Sequence, residues 1–152
     1  MIKPTQQSSE QILHLRISLD DVKPKVSRVI AVPFGIWLDT LHLVFQAAMG
    51  WTNSHQYLIN AGSCTWGNPS ADDGEDEPMP ANKATLADLV ADTASKRFKY
   101  IYDLADGWHH TVSISKLTVA APGVTYPLLL EALNAERSYT CASRRTHGTL
   151  WL

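Results

Sequence analysis

The amino-acid sequence predicts an α+β domain, an antiparallel sheet with one long and one short helix on one face, in the order β-β-α-β-α-β-β. Three observations predict it. In most extended segments apolar residues recur at every second position, as in half-buried antiparallel strands, and not as the unbroken apolar runs of a parallel sheet. One segment, 36–49, changes to a spacing of three and four, the period of a helix. The chain has 152 residues, 45% of them hydrophobic and 18% charged, which suits one core and leaves little room for a second domain.

The elements follow in order. Residues 1–9 are polar and are expected to form a flexible N-terminus, with the domain proper over 10–133. Ile12, Leu13, Leu15, Ile17 and Leu19 alternate mostly with His14, Arg16 and Ser18, the pattern of a strand. Residues 20–25 contain Pro24 and read as a turn. Val26, Arg28, Ile30 and Val32 then alternate with Ser27, Val29 and Ala31, completing a hairpin that ends at Pro33. In 36–49, Leu38, Leu41, Val44, Phe45 and Ala48 form an apolar stripe, and Gly50 follows where a positive φ ends a helix. Residues 55–63 resume a strand with Tyr57, Ile59 and Ala61 on one face. Thr85 and Asp88 have capping-box spacing at the start of a short helix over 85–91. Phe98, Tyr100 and Tyr102 alternate with Lys99 and Ile101, and 108–118 forms a further strand with Val112, Ile114 and Leu117. Asp103 to Gly107 joins these two as a tight turn.

Charge is unevenly spread. Asp72, Asp73, Glu75, Asp76 and Glu77 fall in the segment 68–82, which is rich in Pro and Gly and poor in large apolar residues. Without those five of the 15 acids, 10 face 13 bases, so the rest of the chain carries +3 against a total of −2. The segment cannot offset its ordering entropy by burial and reads as an acidic loop. Its spacing fails the calcium-hand pattern, because Gly74 comes early and no Glu closes the loop.

Several function classes are excluded. The eight glycines form no GxxxxGK or GxGxxG, and no GxSxG or HExxH occurs. Cys64 and Cys141 lack zinc-finger spacing and cannot build a disulfide framework. Free thiols fit a reducing cytoplasm. No apolar run reaches the ~20 residues of a membrane span, and the N-terminus has no apolar core of a signal peptide.

Two clusters hold the remaining chemistry. The first, 47–57, contains Trp51 and His55 at a helix-to-strand junction. The second, 100–112, brings Asp103, Asp106, Trp108, His109 and His110 together around a turn. Carboxylates with imidazole suit Zn, Mn or Fe, so Asp103, Asp106 and His110 are candidate metal ligands, with His55 joining from a neighbouring strand. The same residue types serve general acid/base work. Equally, Asp before a turn caps its own backbone, and Trp51 and Trp108 suit a core as well as a ligand groove. Lys96, Arg97 and Lys99 beside Phe98 and Tyr100 resemble a stacking strand for nucleic acid. Alternation puts those aromatics where a core needs them, and a pI near 6.3 does not favour DNA.

These clusters also carry a family resemblance. Leu38, Leu41, His42, the run Phe45-Gln-Ala-Ala-Met-Gly-Trp51, and Ser54-His55 resemble one motif of the plasmid pRiA4b ORF-3-like family. Tyr100, Tyr102-Asp103-Leu-Ala-Asp106-Gly-Trp108 and His110 resemble its second motif. The resemblance covers roughly 10–133 and implies an α+β roll-like domain found on plasmids and beside insertion elements. It implies no activity. Tyr57 stands where the family usually has a second His, and Ala105 where it has Gly. Tyr126-Pro-Leu-Leu-Leu130 resembles a family strand, with Leu129 at its Cys position. The family's next motif, C-P-P-E-D-x-G-G-x-x-G-Y, is missing after Cys141. With the first base of the Ala142 codon dropped and suitable synonymous codons chosen, the shifted frame reads a closely similar peptide. Residues 134–152 are therefore expected to be an irregular tail, frameshifted over 142–152.

The expected function is a non-enzymatic binding or accessory module linked to plasmid or insertion-element biology. Its candidate binding residues are Trp51, His55, Asp103, Asp106, Trp108 and His110, and its partner a protein or a small ligand. The alternatives are a small enzyme, metal-dependent or acid/base, with a divalent metal as its one conceivable cofactor, and a nucleic-acid binder through 96–100. No membrane partner is expected.

Overall fold

The computed structural model describes residues 10–68 and 77–134. The expected flexible N-terminus at 1–9, most of the acidic loop, and the tail from 135 with its expected frameshift lie outside the described residues.

The chain opens with β1 (Gln11–Leu19) and β2 (Val26–Pro33), then α1 (Leu38–Met49). Three short strands follow: β3 (Tyr57–Ala61), β4 (Cys64–Gly67) and β5 (Met79–Pro80). A 3-10 turn, Ala81–Lys83, leads into α2 (Leu86–Thr93). Then come β6 (Arg97–Tyr102), β7 (Trp108–Val119) and β8 (Leu128–Leu133). All eight strands form one sheet, ordered β5-β4-β3-β6-β7-β1-β2-β8. The fold is α+β and dominated by the sheet, but the expected element order is corrected by three additional strands. The β4–β5 pair is also parallel, within an otherwise antiparallel sheet. Part of the segment expected to be a loop thus adds a strand at one sheet edge.

The long central strand, β7, accounts for the break in alternation between Ile114 and Leu117. Ile114 pairs with Leu15 and Lys116 with His14, so Ser115 is an extra residue in a bulge. The bulge restores Leu117 to the register of Leu13. Leu13, Leu15, Ile17, Ile30, Val32, Ile59, Phe98, Tyr100, Tyr102 and Val112 join Leu41, Val44 and Phe45 of α1 and Leu86 and Leu89 of α2 in one core. Because Phe98 and Tyr100 are buried in it, they cannot form a surface stacking platform for nucleic acid.

The helix ends follow local chemistry. Gly50 takes φ 81° and donates its N–H to Gln46 O, closing α1. Thr85 and Asp88 form the full capping box at α2, with bonds of 3.1 and 2.9 Å. Arg28 lies on the core face of β2. Its Nε donates to Ala48 O at 2.9 Å and its Nη1 to Asn134 O at 2.8 Å, a cation at the negative end of α1.

Candidate functional site

Sheet order sets the two sequence clusters against each other. β3 pairs with β6, and β6 with β7, so the junction after α1 packs on the β6–β7 turn. Side-chain bonds stitch them together in three layers.

The deepest layer centres on Tyr100. Gln46 Nε2 donates to its hydroxyl at 2.8 Å, and the hydroxyl lies 2.7 Å from His42 Nδ1. His42 Nε2 is 2.7 Å from Asn53 Oδ1, and Asn53 N–H donates to Gln46 Oε1 at 2.6 Å. A carbonyl oxygen only accepts, so the imidazole proton sits on Nε2 and Nδ1 accepts from Tyr100. Burial lowers the His42 pKa to about 4, against weaker opposing effects of Asn53 and Asp39. Its ring stacks on Tyr57 at 3.7 Å. Burial, reinforced by Asp39, pushes the Tyr57 phenol up to about 12. Its hydroxyl makes no hydrogen bond among the described residues.

The middle layer pairs Trp51 with His110. Trp51 Nε1 donates to His110 Nε2 at 3.2 Å, and His110 Nδ1 donates to Tyr100 O at 3.0 Å. An indole only donates, so Nε2 must be the acceptor and the ring is neutral. His110 is fully buried, and desolvation lowers its pKa to about 4. Trp51 also packs against Tyr102 and Trp108, with ring centroids 5.2 and 5.6 Å away.

The outer layer is the rim. Asp103 takes φ 63°, and its Oδ1 accepts from the N–H groups of Ala105 and Asp106 at 3.2 and 3.3 Å. Its backbone carbonyl accepts from Gly107 N–H at 2.6 Å. This carboxylate caps the turn. Asp103 Oδ2 lies 3.7 Å from Nε2 of His55, whose side chain is 45% exposed and sets its edge against Tyr102. Asp106 is exposed and Trp108 half-buried.

The six candidate residues therefore converge at one end of the sheet, but at different depths. The metal set Asp103, Asp106 and His110 does not assemble. His110 has both ring nitrogens engaged within the core, while the carboxylates belong to a surface turn. Among the described residues no group of three or more His, Cys, Asp or Glu is positioned to hold a metal ion. Sequence reasoning missed His42 and Gln46 as partners of Tyr100, and Asn53 as the partner of both. The available signal was two polar residues one turn apart within the apolar stripe of a helix.

Known proteins share this architecture. A crystal structure of a protein of unknown function, MM3350 from Methanosarcina mazei Go1, has a TM-score of 0.73 and 26% identity, covering 83% of this chain and 71% of that one. An uncharacterized protein, y4hQ of Sinorhizobium fredii, is 46% identical over 121 residues. That match covers 80% of this chain and 61% of y4hQ, so the chain spans about three fifths of that relative. The chain belongs to the plasmid pRiA4b ORF-3-like protein family, whose profile matches residues 11–144.

Proposed function

We propose that the chain is a non-enzymatic binding or accessory module. The rim of His55, Asp103, Asp106 and Trp108 would meet a protein partner or a small ligand, over a floor made rigid by Trp51 and His110. One observation carries this reading. The histidine best surrounded by candidate chemistry, His110, has no ring nitrogen left for a metal or a substrate proton. His55 stands at the surface, beside the nearly buried carboxylate of Asp103. The family's occurrence on plasmids and beside insertion elements supports a partner from mobile-element machinery, an argument by association. No described helix is long and apolar enough to cross a membrane, and the thiol of Cys64 is free, which supports a reducing cytoplasmic setting.

The second reading, acid/base catalysis, has the His55–Asp103 pair in its favour. At 3.7 Å that pair is longer than a hydrogen bond. Two measurements test the proposal. Elemental analysis of purified protein should find no stoichiometric transition metal; a metal present at one per chain and lost in Asp106→Ala would overturn it. Titration with proteins encoded beside the gene should give saturable binding that weakens at least tenfold in the double variant His55→Ala, Trp108→Ala. Binding unchanged in that folded variant would rule out the rim.

A further inference from the structure

The alternation that turns Phe98, Tyr100 and Tyr102 into the core turns Arg97 and Lys99 onto the opposite face. There, strand register aligns residues in rows. Arg16 of β1 and Arg97 of β6 both pair with Ser113 of β7, which lies between them. In the next row Ser18 and Lys99 both pair with Thr111. The 20–25 turn stands beside these rows. Together they bound a groove of about 630 Å³ whose wall includes Arg16, Arg97, Ser113, Lys23 and Lys25.

Charge in the groove is unbalanced. Its wall holds two acids, Asp20 and Asp21. Asp20 is already engaged, accepting from Lys99 Nζ at 2.7 Å and from Thr111 Oγ1 at 2.9 Å. Arg16, Arg97, Lys23 and Lys25 then face Asp21 alone among the lining residues. Among the described residues Arg16 makes one long hydrogen bond, 3.5 Å to Ser27 Oγ. Both arginines are exposed.

We infer that this groove is a binding site for the phosphate of a small phosphorylated ligand, held between Arg16 and Arg97 with the Ser113 hydroxyl at its floor. Two strands apart, the arginine Cα atoms are roughly 10 Å from each other. One tetrahedral oxyanion between them is within reach of both side chains. Guanidinium forks match phosphate oxygens in pairs. Lys23 and Lys25 supply charge for a second phosphate. Among the described residues no aromatic side chain lines the groove, so they offer no platform for the stacked bases of a nucleic-acid strand. The site lies on the opposite sheet face from the rim and stands independently of it.

Inorganic pyrophosphate is the probe. Binding followed by amide resonances should perturb Ser113, Thr111 and Arg97. Affinity should fall about tenfold or more in Arg16→Ala and in Arg97→Ala, the loss of a charge-assisted contact. Arg97→Lys should recover only part of it, because the fork is gone, and Lys83→Ala, which removes an exposed cation outside the groove, should bind as the parent does. The inference is overturned if pyrophosphate does not bind, if Arg97→Ala binds it undiminished, or if a short oligothymidylate binds more tightly than pyrophosphate.

Discussion

On one face of the sheet, His42, Gln46, Trp51, Tyr100 and His110 meet one another in the core. On the other, Arg16, Arg97, Lys23 and Lys25 line an open groove. Strand β6 supplies a member of each, Tyr100 inward and Arg97 outward. The first contains Trp51 and His110, two of the six residues that look chemical in the sequence, yet its histidines are held neutral by burial. The second contains no recognisable motif, yet its charges are available. Density of His, Asp and Trp in a sequence thus marks a demanding junction as readily as a site. Availability depends on which face each residue takes.

Perturbing the locked face should give the largest effects. Trp51→Ala removes a buried indole and strands His110 Nε2, and should cost about 3–5 kcal/mol in urea unfolding. A loss under about 1 kcal/mol would mean that the layer is not structural. Acid is the next probe. An unfolded-chain histidine protonates near 6.5, whereas His42 and His110 do so near 4. Their contribution is therefore complete above pH 6.5 and is lost as pH falls towards 4, roughly 3 kcal/mol for each. His110→Gln should flatten that part of the stability profile by about one proton; an unchanged slope would contradict a neutral His110. Tyr100→Phe leaves His42 Nδ1 and Gln46 Nε2 without their shared partner and should cost about 2 kcal/mol. His55→Ala, at the rim, should change stability by less than about 0.5 kcal/mol. A cost comparable to that of Trp51→Ala would erase the distinction between locked layer and rim.

Legibility in the sequence followed the same division. Strand β1, helix α1, strand β6 and the first half of β7 bury one face more than the other, and periodicity exposes that face. β2, buried on both faces, was legible as the return strand of the hairpin, and α2 by its Thr85–Asp88 cap. β4 and β5 escaped because four and two residues are too short for a period to register. β8 escaped as a counted element because its run of leucines is largely exposed and does not alternate. At the candidate site, the sequence identified the two clusters but not their depth. Spacing brings His110 and Asp103 close along the chain. Only the turn of the strand sends His110 into the core and keeps Asp103 in the β6–β7 turn, capping its backbone. Nothing local announced that Tyr100 would be the hub for His42 and Gln46, because those contacts span more than fifty positions.

Arg28 has a consequence of its own. Strand pairing tolerates a slip of one residue only at the cost of exchanging faces. For β2, that slip would carry Val29 inward and Arg28 outward, abandoning the carbonyls of Ala48 and Asn134. An all-aliphatic core face would penalise such a slip through lost burial alone. With a guanidinium among its inward residues, β2 has a single alignment that satisfies both its oil and its charge. The arginine's bonds to Ala48 and Asn134 therefore favour this alignment of the hairpin over its one-residue slip.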